Sequence, residues 1–555
     1  MDSQVNIALT KMADEHANTR ITNRVDRFRK SAAERYSLNE KDVHIGHIAL
    51  EAMYDDPEMI CQIDFATGEE ETNRSVAKRT CRLASAMVNS GLKPGDPAIL
   101  IGINHMDLCI PYFACHFGGY PMCAIDTSVG QNDLTRLFPY IFPKIVFCQK
   151  ACEEKVKEAY RASNQEGKIV IFDDKEHDLE AFVERYSGTE VQYRPALFDQ
   201  SETTAWLMLT SGTTGLPKVA VIPFDTLLIG IINWWKPFPD SCERTMAMAT
   251  LQWVSSLLYF ISGPLKGTTR VQSSAPLTPM KIVDIINKYK PNTTAFTPYL
   301  LGHFLNVAEK TCDLSCFKYI LIGGSAMDKP LLDRFRTMCG AFLYLAYGMT
   351  ELLSPIFDFD DDTPFGSTGK PISQYEFKLV DDDGNTVEGT HKNGELWLQG
   401  DAFFKGYLNN PEETKTMLTD DGWFKTGDIF YKDEQNYYYF VERKRLLIKH
   451  YGFLISPLKI EGIIKRHPAI VDACVVCLPH HECQEQVLIA VQRRNGDNVD
   501  TTEIFDLIRK NMDGKQVSGG LFFVDSLPVT PSGKVHRVKV KEMAVAAQKA
   551  EKILF

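Results

Sequence analysis

The amino-acid sequence predicts an α/β fold: a large N-terminal body of stacked parallel-rich sheets, a small β-rich unit, and an α+β C-terminal unit. Three observations carry this. Through the first two thirds of the chain, short apolar runs alternate with amphipathic helical stretches, the pattern of parallel strands joined by crossover helices. After about residue 375 the texture changes to short alternating strands separated by Asp-Gly turns, which suits a small antiparallel or barrel-like unit. From residue 442 onward, helical and strand patterns mix behind the charged run Glu442-Arg443-Lys444-Arg445.

Taken in order, residues 97–102 read as a buried strand after the turn Lys93-Pro94-Gly95-Asp96, and 145–148 and 169–172 as further strands. Residues 76–87 and 151–162 have the apolar spacing of helices. In the β-rich part, strands are expected at 377–380, 394–398 and 437–440. Beyond it, the expected elements are a helix near 457–466, strands at 473–478 and 486–492, a helix at 502–511 and a strand at 521–524. The division is then 1–441, with 375–441 as its β-rich part, and 442–555, the charged run serving as hinge or linker.

The chain has 555 residues, 61 basic and 72 acidic, for a formal net charge of −11. That acidic balance lacks the bulk electrostatic footprint of a nucleic-acid binder. The fourteen scattered cysteines are too sparse for a disulfide scaffold, and the polar N-terminus lacks a signal-peptide apolar core. A reducing, cytoplasmic location is expected. The C-terminal Ile553-Leu554-Phe555 does not match the simplest peroxisomal address. The apolar run 226–235 is too short to span a membrane. No obligate protein partner is expected.

The sharpest local feature is Thr210-Ser-Gly-Thr-Thr-Gly-Leu-Pro-Lys218, following the apolar run 205–209. Gly212 and Gly215 let backbone N–H groups converge on an anion. Thr210, Ser211, Thr213 and Thr214 bring hydroxyl donors, and Lys218 brings a point charge. Its glycine-to-lysine spacing is not that of a Walker loop. Tyr347-Gly348-Met-Thr350-Glu351 ends the strand-like run 342–346, and Gly324-Ser325 ends the run 320–323. Strand ends of this kind hold ligands in α/β enzymes. Taken alone, Thr426-Gly-Asp428 reads as an ordinary turn, and Lys534 in Pro531-Ser-Gly-Lys534 reads as solvated surface.

Together and in this order, these motifs resemble the adenylate-forming superfamily of acyl-CoA synthetases, peptide-synthetase adenylation domains and beetle luciferases. The flanking Gly406-Tyr407-Leu408-Asn409-Asn410-Pro411-Glu412 and Asp421-Gly422-Trp423 look closest to the luciferase and 4-coumarate or fatty acyl-CoA ligase branch. The resemblance implies an ATP-dependent ligase that joins a fatty or aromatic acid to CoA through an acyl-adenylate, with Mg²⁺. Two alternatives remain open: a luciferase-type monooxygenase using the adenylate, and a non-catalytic nucleotide or acyl binder.

The resemblance also implies roles. Ser211, Thr213, Thr214 and Lys218 would hold phosphates; Gly324, Ser325 and Tyr347 would line the adenine site. Thr350 would touch the α-phosphate, Glu351 would bind Mg²⁺, and Asp428 with Arg443 would hold the ribose. Lys534 would drive adenylation. The C-terminal unit would be a mobile lid whose second face, at Lys449 and Gly452, lines the thiol tunnel. Trp253, Val254 and Ser354 fall in the implied acid pocket. Trp253 stands in a segment where relatives carry histidine. It either shortens the pocket, which favours a medium-sized acid, or belongs to the core.

Val219 follows Lys218 where the family usually has glycine, so an altered loop exit is expected. Cys474 and Cys477, three apart on a strand, should face opposite sides and so not share an ion.

Overall fold

The computed structural model describes residues 20–174, 179–210, 218–309, 311–400, 402–451, 453–494, 499–511, 519–530 and 534–555. Two large sheets form the body. The first has seven strands in the order Phe342–Ala346, Tyr319–Gly323, Thr293–Phe296, Arg244–Met246, Thr269–Gln272, Ile60–Asp64 and Glu70–Thr72. All its pairings are parallel except the last. The second has six strands: Lys168–Ile171, Ile145–Cys148, Ala98–Ile101, Met122–Ile125, Thr204–Thr210 and Lys218–Pro223. Only its final pair is antiparallel.

Both sheets are covered on both faces, as parallel strands made of continuous apolar runs require. Between them lies the largest core, where Leu100, Phe147 and Trp206 of one sheet meet Tyr319, Leu321 and Tyr344 of the other through intervening helices. Helix Phe224–Trp235 belongs to this layer and is buried at every residue except Asp225. A helix that is apolar all round is an interior element. The outer face of the seven-stranded sheet packs on helices Pro279–Tyr289, Pro298–Ala308 and Lys329–Met338. The outer face of the six-stranded sheet packs on Gln131–Ile141 and Glu153–Ala162.

The barrel-like unit is corrected to an open sheet of four antiparallel strands, Tyr375–Val380, Gly394–Gly400, Phe424–Lys432 and Tyr438–Arg443. Four strands are too few to close around a filled interior. The sheet instead buries Leu379, Leu396, Leu398, Phe424 and Phe430 in the main core of the body.

The C-terminal unit has its own sheet, in which Ile470–His480 and Gln484–Arg493 form the long central pair and Leu521–Val524 adds in parallel. Its two cores lie on opposite faces of that pair. Cys474 is buried in one core and Cys477 packs against the other, as the two-residue period of a strand dictates.

In the charged junction Lys444 and Arg445 are exposed, whereas Glu442 is buried. Glu442 is 1% exposed. Its carboxylate accepts from Leu458 N at 3.0 Å and Ser456 Oγ at 3.3 Å, at the start of helix Pro457–Ile464. It also accepts from Arg443 N at 2.9 Å. A carboxylate at a helix N-terminus meets unpaired N–H groups and the positive end of the helix dipole.

Candidate active site

Thr210 and Lys218 are cross-strand partners at the loop end of the hairpin formed by Thr204–Thr210 and Lys218–Pro223. Ser211, Gly212, Thr213, Thr214 and Gly215, between these two strands in sequence, are outside the described residues, as are Gly452 and residues 531–533. Val219 is extended β-strand, buried and paired with Leu209. A β-branched residue suits that backbone, so the position makes no demand for glycine.

Lys218 points into a chain of contacts that runs through the site. Its ammonium pairs with Glu413 and lies 5.2 Å from the centre of the Tyr407 ring. Tyr407 Oη donates to Glu351 Oε1 at 2.7 Å. Tyr407 is placed by segment 404–408, which runs beside strand Lys218–Pro223 through Val221 N to Gly406 O and Leu408 N to Val219 O. Glu351 is 5% exposed, in the turn Thr350–Leu352 that follows strand Phe342–Ala346. Burial raises its pKa, against the Tyr407 hydrogen bond and the charges of Arg443 and Lys218.

The second half of the site is built on one register. Asp428 and Arg443 are directly opposed on adjacent strands, so their side chains share a face. Arg443 Nε lies 3.3 Å from Asp428 Oδ1, and Tyr347 Oη donates to Oδ2 at 2.6 Å. The Arg443 contact completes no hydrogen bond, and Oδ1 keeps an unused acceptor. Burial raises the Asp428 pKa, opposed first by Arg443, then by Tyr347, Arg445 and Lys534.

Lys534 reaches this cluster from the C-terminal unit. Its Cε lies 3.9 Å from where a β-carbon on Gly324 would stand. Gly324 has φ +90°, a backbone that favours glycine. Lys534 N donates to Thr530 Oγ1 and its carbonyl accepts from Thr530 N, which fixes the lysine backbone against Thr530. The residue keeps solvent access but is crowded by protein. That crowding, then Arg443, lowers the ammonium pKa.

Of the other expected residues, Ser325 and Gly348 are exposed at strand ends and Thr350 is half-buried beside Glu351. Ser354 is buried, and its hydroxyl has no hydrogen-bond partner. Trp253 and Val254 are half-buried at the start of helix Val254–Lys266. Lys449 is exposed on strand Ile448–His450, its N–H held by Glu485 Oε2 at 2.6 Å. The structure thus brings Lys218, Arg443 and Lys534 around two buried carboxylates, and no described contact takes Lys449 there.

Sequence reasoning missed Glu413 and Arg445 and gave Tyr407 no role. Tyr407 stood in the Gly406–Glu412 stretch used for the resemblance, next to Glu413. Arg445 stood in the charged run read as a linker.

The chemistry of this donor set fits a nucleotide. A buried carboxylate with a free acceptor suits ribose hydroxyls, and cations on either side suit phosphates. Glu351 offers one carboxylate for a metal ion, the usual protein share when Mg²⁺ is also held by phosphates. Among the described residues there is no group of three or more metal-ligating side chains, and no helix is long and apolar enough to cross a membrane.

Comparison with known proteins agrees. The chain is 28% identical over 500 residues to luciferin 4-monooxygenase of Photuris pensylvanica, covering 86% of this chain and 90% of that one. It is 27% identical over 494 residues to 4-coumarate–CoA ligase 2 of Petroselinum crispum, with the same coverages. A crystal structure of an anthranilate CoA ligase in complex with anthranoyl-AMP shares the fold, with a TM-score of 0.83 at 20% identity, over 92% of this chain and 99% of that one. The AMP-binding enzyme family matches residues 50–408, and the AMP-binding enzyme C-terminal domain matches 459–534. The first match covers more than half of the chain: this protein belongs to the AMP-binding enzyme family of adenylate-forming enzymes.

Proposed function

We propose that the protein is an ATP-dependent carboxylic acid–CoA ligase of the AMP-forming type, acting on a fatty or aromatic acid. The observation that carries the reading is Lys534. It comes from the C-terminal unit and stands beside Gly324, within electrostatic reach of Asp428 and Arg443.

In this reading segment 211–217 and Lys218 hold the outer phosphates. Asp428, helped by Tyr347 and Arg443, holds the ribose beside Gly324 and Ser325, and Thr350 faces the α-phosphate. Glu351 and the phosphates would bind Mg²⁺, which neutralises phosphate charge. A carboxylate oxygen attacks the α-phosphorus as the bond to the bridging oxygen breaks and pyrophosphate leaves. The nucleophile is already ionised, so no base is required. What it needs is charge cancellation between two anions and their alignment. Lys534 supplies both. The thiol sulfur of CoA then attacks the acyl carbon and AMP departs, with Lys449 on the face turned in by the lid. The division at residue 442 and a cytoplasmic location belong to the same reading. Fourteen unpaired thiols fit that location.

The test is acid-dependent release of pyrophosphate from Mg-ATP, followed by CoA thioester formation. ATP binding with no pyrophosphate release across a panel of short to long aliphatic and aryl acids overturns the reading. The likeness to luciferin 4-monooxygenase supports a second reading, in which the adenylate is oxidised; light on mixing with luciferin and ATP would select it.

A further inference from the structure

We propose that Leu353 is a positioning residue for Glu351: a glycine notch at Gly230 holds Leu353 in a strained turn, and the held turn keeps the Glu351 carboxylate in place. The inference rests on the reading above, in which Glu351 and the phosphates hold Mg²⁺.

The observation is one stretch of backbone. Leu353 has φ 62° and ψ −37°, and Ser354 N donates to Leu352 O at 2.7 Å across it. This is the three-residue γ-turn of positive φ, a rare and strained form. A β-carbon makes positive φ costly. Other described non-glycine residues with positive φ, among them Phe142, Lys290 and Tyr451, are exposed. Leu353 is 1% exposed. Strain of this kind persists only where the surroundings over-determine it.

The surroundings here do so. Gly230 lies inside helix Phe224–Trp235, where glycine is less favourable than alanine. Its φ is outside the left-handed region, so what the position requires is room. A β-carbon there would stand 3.0 Å from both Cβ and Cδ1 of Leu353. The leucine thus seats in a notch in the helix surface. Beyond it, the Ser354 carbonyl folds back over Gly348, whose β-carbon would stand 3.3 Å from that oxygen. Before it, Leu352 N donates to Met349 O at 3.0 Å.

These contacts bracket Glu351. Its carboxylate accepts from Tyr407 Oη, and its carbonyl accepts from Phe404 N at 2.9 Å. Both partners lie on segment 404–408. The turn at Leu353 adds the hold from the opposite direction along the chain. The notch belongs to the helix that directly continues strand Lys218–Pro223. The stretch of chain that begins with Lys218 therefore also sets the position of Glu351. A methyl group added at residue 230 meets a β-carbon, which no rotamer change can move, so the turn itself must shift.

Calorimetric titration tests this by comparing the dissociation constant of ATP in Mg²⁺ with that in EDTA. Their ratio reads the metal-dependent part of binding. Gly230→Ala and Leu353→Gly should each reduce the ratio at least about threefold, given that a misplacement of about 1 Å can cost about 10²-fold. Affinity in EDTA should not change. In the double variant the alanine methyl takes space left by the leucine, and glycine accepts the positive φ. The ratio should then recover towards wild type, the coupling expected of residues in contact. Should Gly230→Ala fail to fold, Leu353→Gly decides by the same measure. Glu351→Gln is the control and should reduce the ratio too. If it does, while Gly230→Ala and Leu353→Gly lower only the melting temperature and keep the wild-type ratio, the inference is overturned and the role of Glu351 stands. Equal loss of both affinities in those two variants also overturns it. If Glu351→Gln itself keeps the wild-type ratio, the metal role of Glu351 fails and the inference falls with it.

Discussion

Tyr347 Oη donates to Asp428 Oδ2 at 2.6 Å, which ties the end of a strand in the seven-stranded body sheet to the small four-stranded sheet. With Arg443 facing the other oxygen at 3.3 Å, the carboxylate is held in place with one acceptor unused. Replacing Asp428 by Asn should raise the KM for ATP by at least about tenfold, the loss expected for a charge-assisted hydrogen bond. The melting temperature should hold or rise, since burial already works against the charge. Calorimetric ATP titration and a thermal melt check both, and an unchanged affinity would remove Asp428 from the nucleotide site.

Lys534 is kept charged against crowding and the nearby Arg443. A lowered lysine pKa means the charge is present at low pH and lost on raising the pH through a value below the usual ~10.4. Pyrophosphate release should therefore decline on the alkaline side earlier than an ordinary lysine dictates. Lys534→Ala should cut it about 10²–10³-fold with ATP binding retained. Lys534→Arg should be slower than wild type but lose the alkaline limb, since guanidinium stays charged. A limb that persists in the arginine variant assigns it to another group.

Glu413 holds the Lys218 ammonium, so a phosphate must take that cation from a carboxylate. Both side chains are part-exposed, at 21% and 30%, and such pairs are worth about 0.2–1 kcal/mol. Glu413→Gln should tighten ATP binding about two- to fivefold by removing the competitor. The gain should shrink as salt rises. Weaker binding in this variant would mean that Glu413 aligns Lys218 and does not compete for it.

Three histidines are buried uncharged between the body sheets: His44, His47 and His116. His116 uses both ring nitrogens, accepting from Trp206 Nε1 at 2.9 Å and meeting Tyr112 O at 2.7 Å. Burial holds His47 and His116 down at about 4, and lowers His44 too. The unfolded chain takes up these protons near pH 6.5 and the folded chain does not, so stability falls as pH drops from about 6.5 towards 4. Each histidine contributes a slope of up to about 1.4 kcal/mol per pH unit. Urea unfolding at pH 7.5, 6 and 5 should show the loss, and His47→Gln should flatten it. Equal slopes in both proteins would refute the assignment.

Much of this was readable before the structure. The strands at 145–148, 342–346 and 521–524 coincide with those found, because a buried parallel strand is a short apolar run with sharp ends. The ordered motifs placed Lys218, Glu351, Asp428, Arg443 and Lys534 in one site. What failed were the places where tertiary contact overrides local pattern. Glu442, in a run read as hinge or linker, gives no local sign of its partner Leu458, sixteen residues on. The β-rich unit reads as self-closing until the body provides the surface for its apolar face. Glu413 carries no local signal at all, since its role depends on a lysine 195 residues away.

Glu442 sits on a strand paired to the small sheet through Ile429, and its carboxylate grips the N–H of Leu458 on the other side of the junction. Such a joint does not swing freely. Parting the C-terminal unit from this strand would cost the carboxylate its bonds to Leu458 N and Ser456 Oγ and leave it only Arg443 N. One side chain thus clasps the two sides of the junction together.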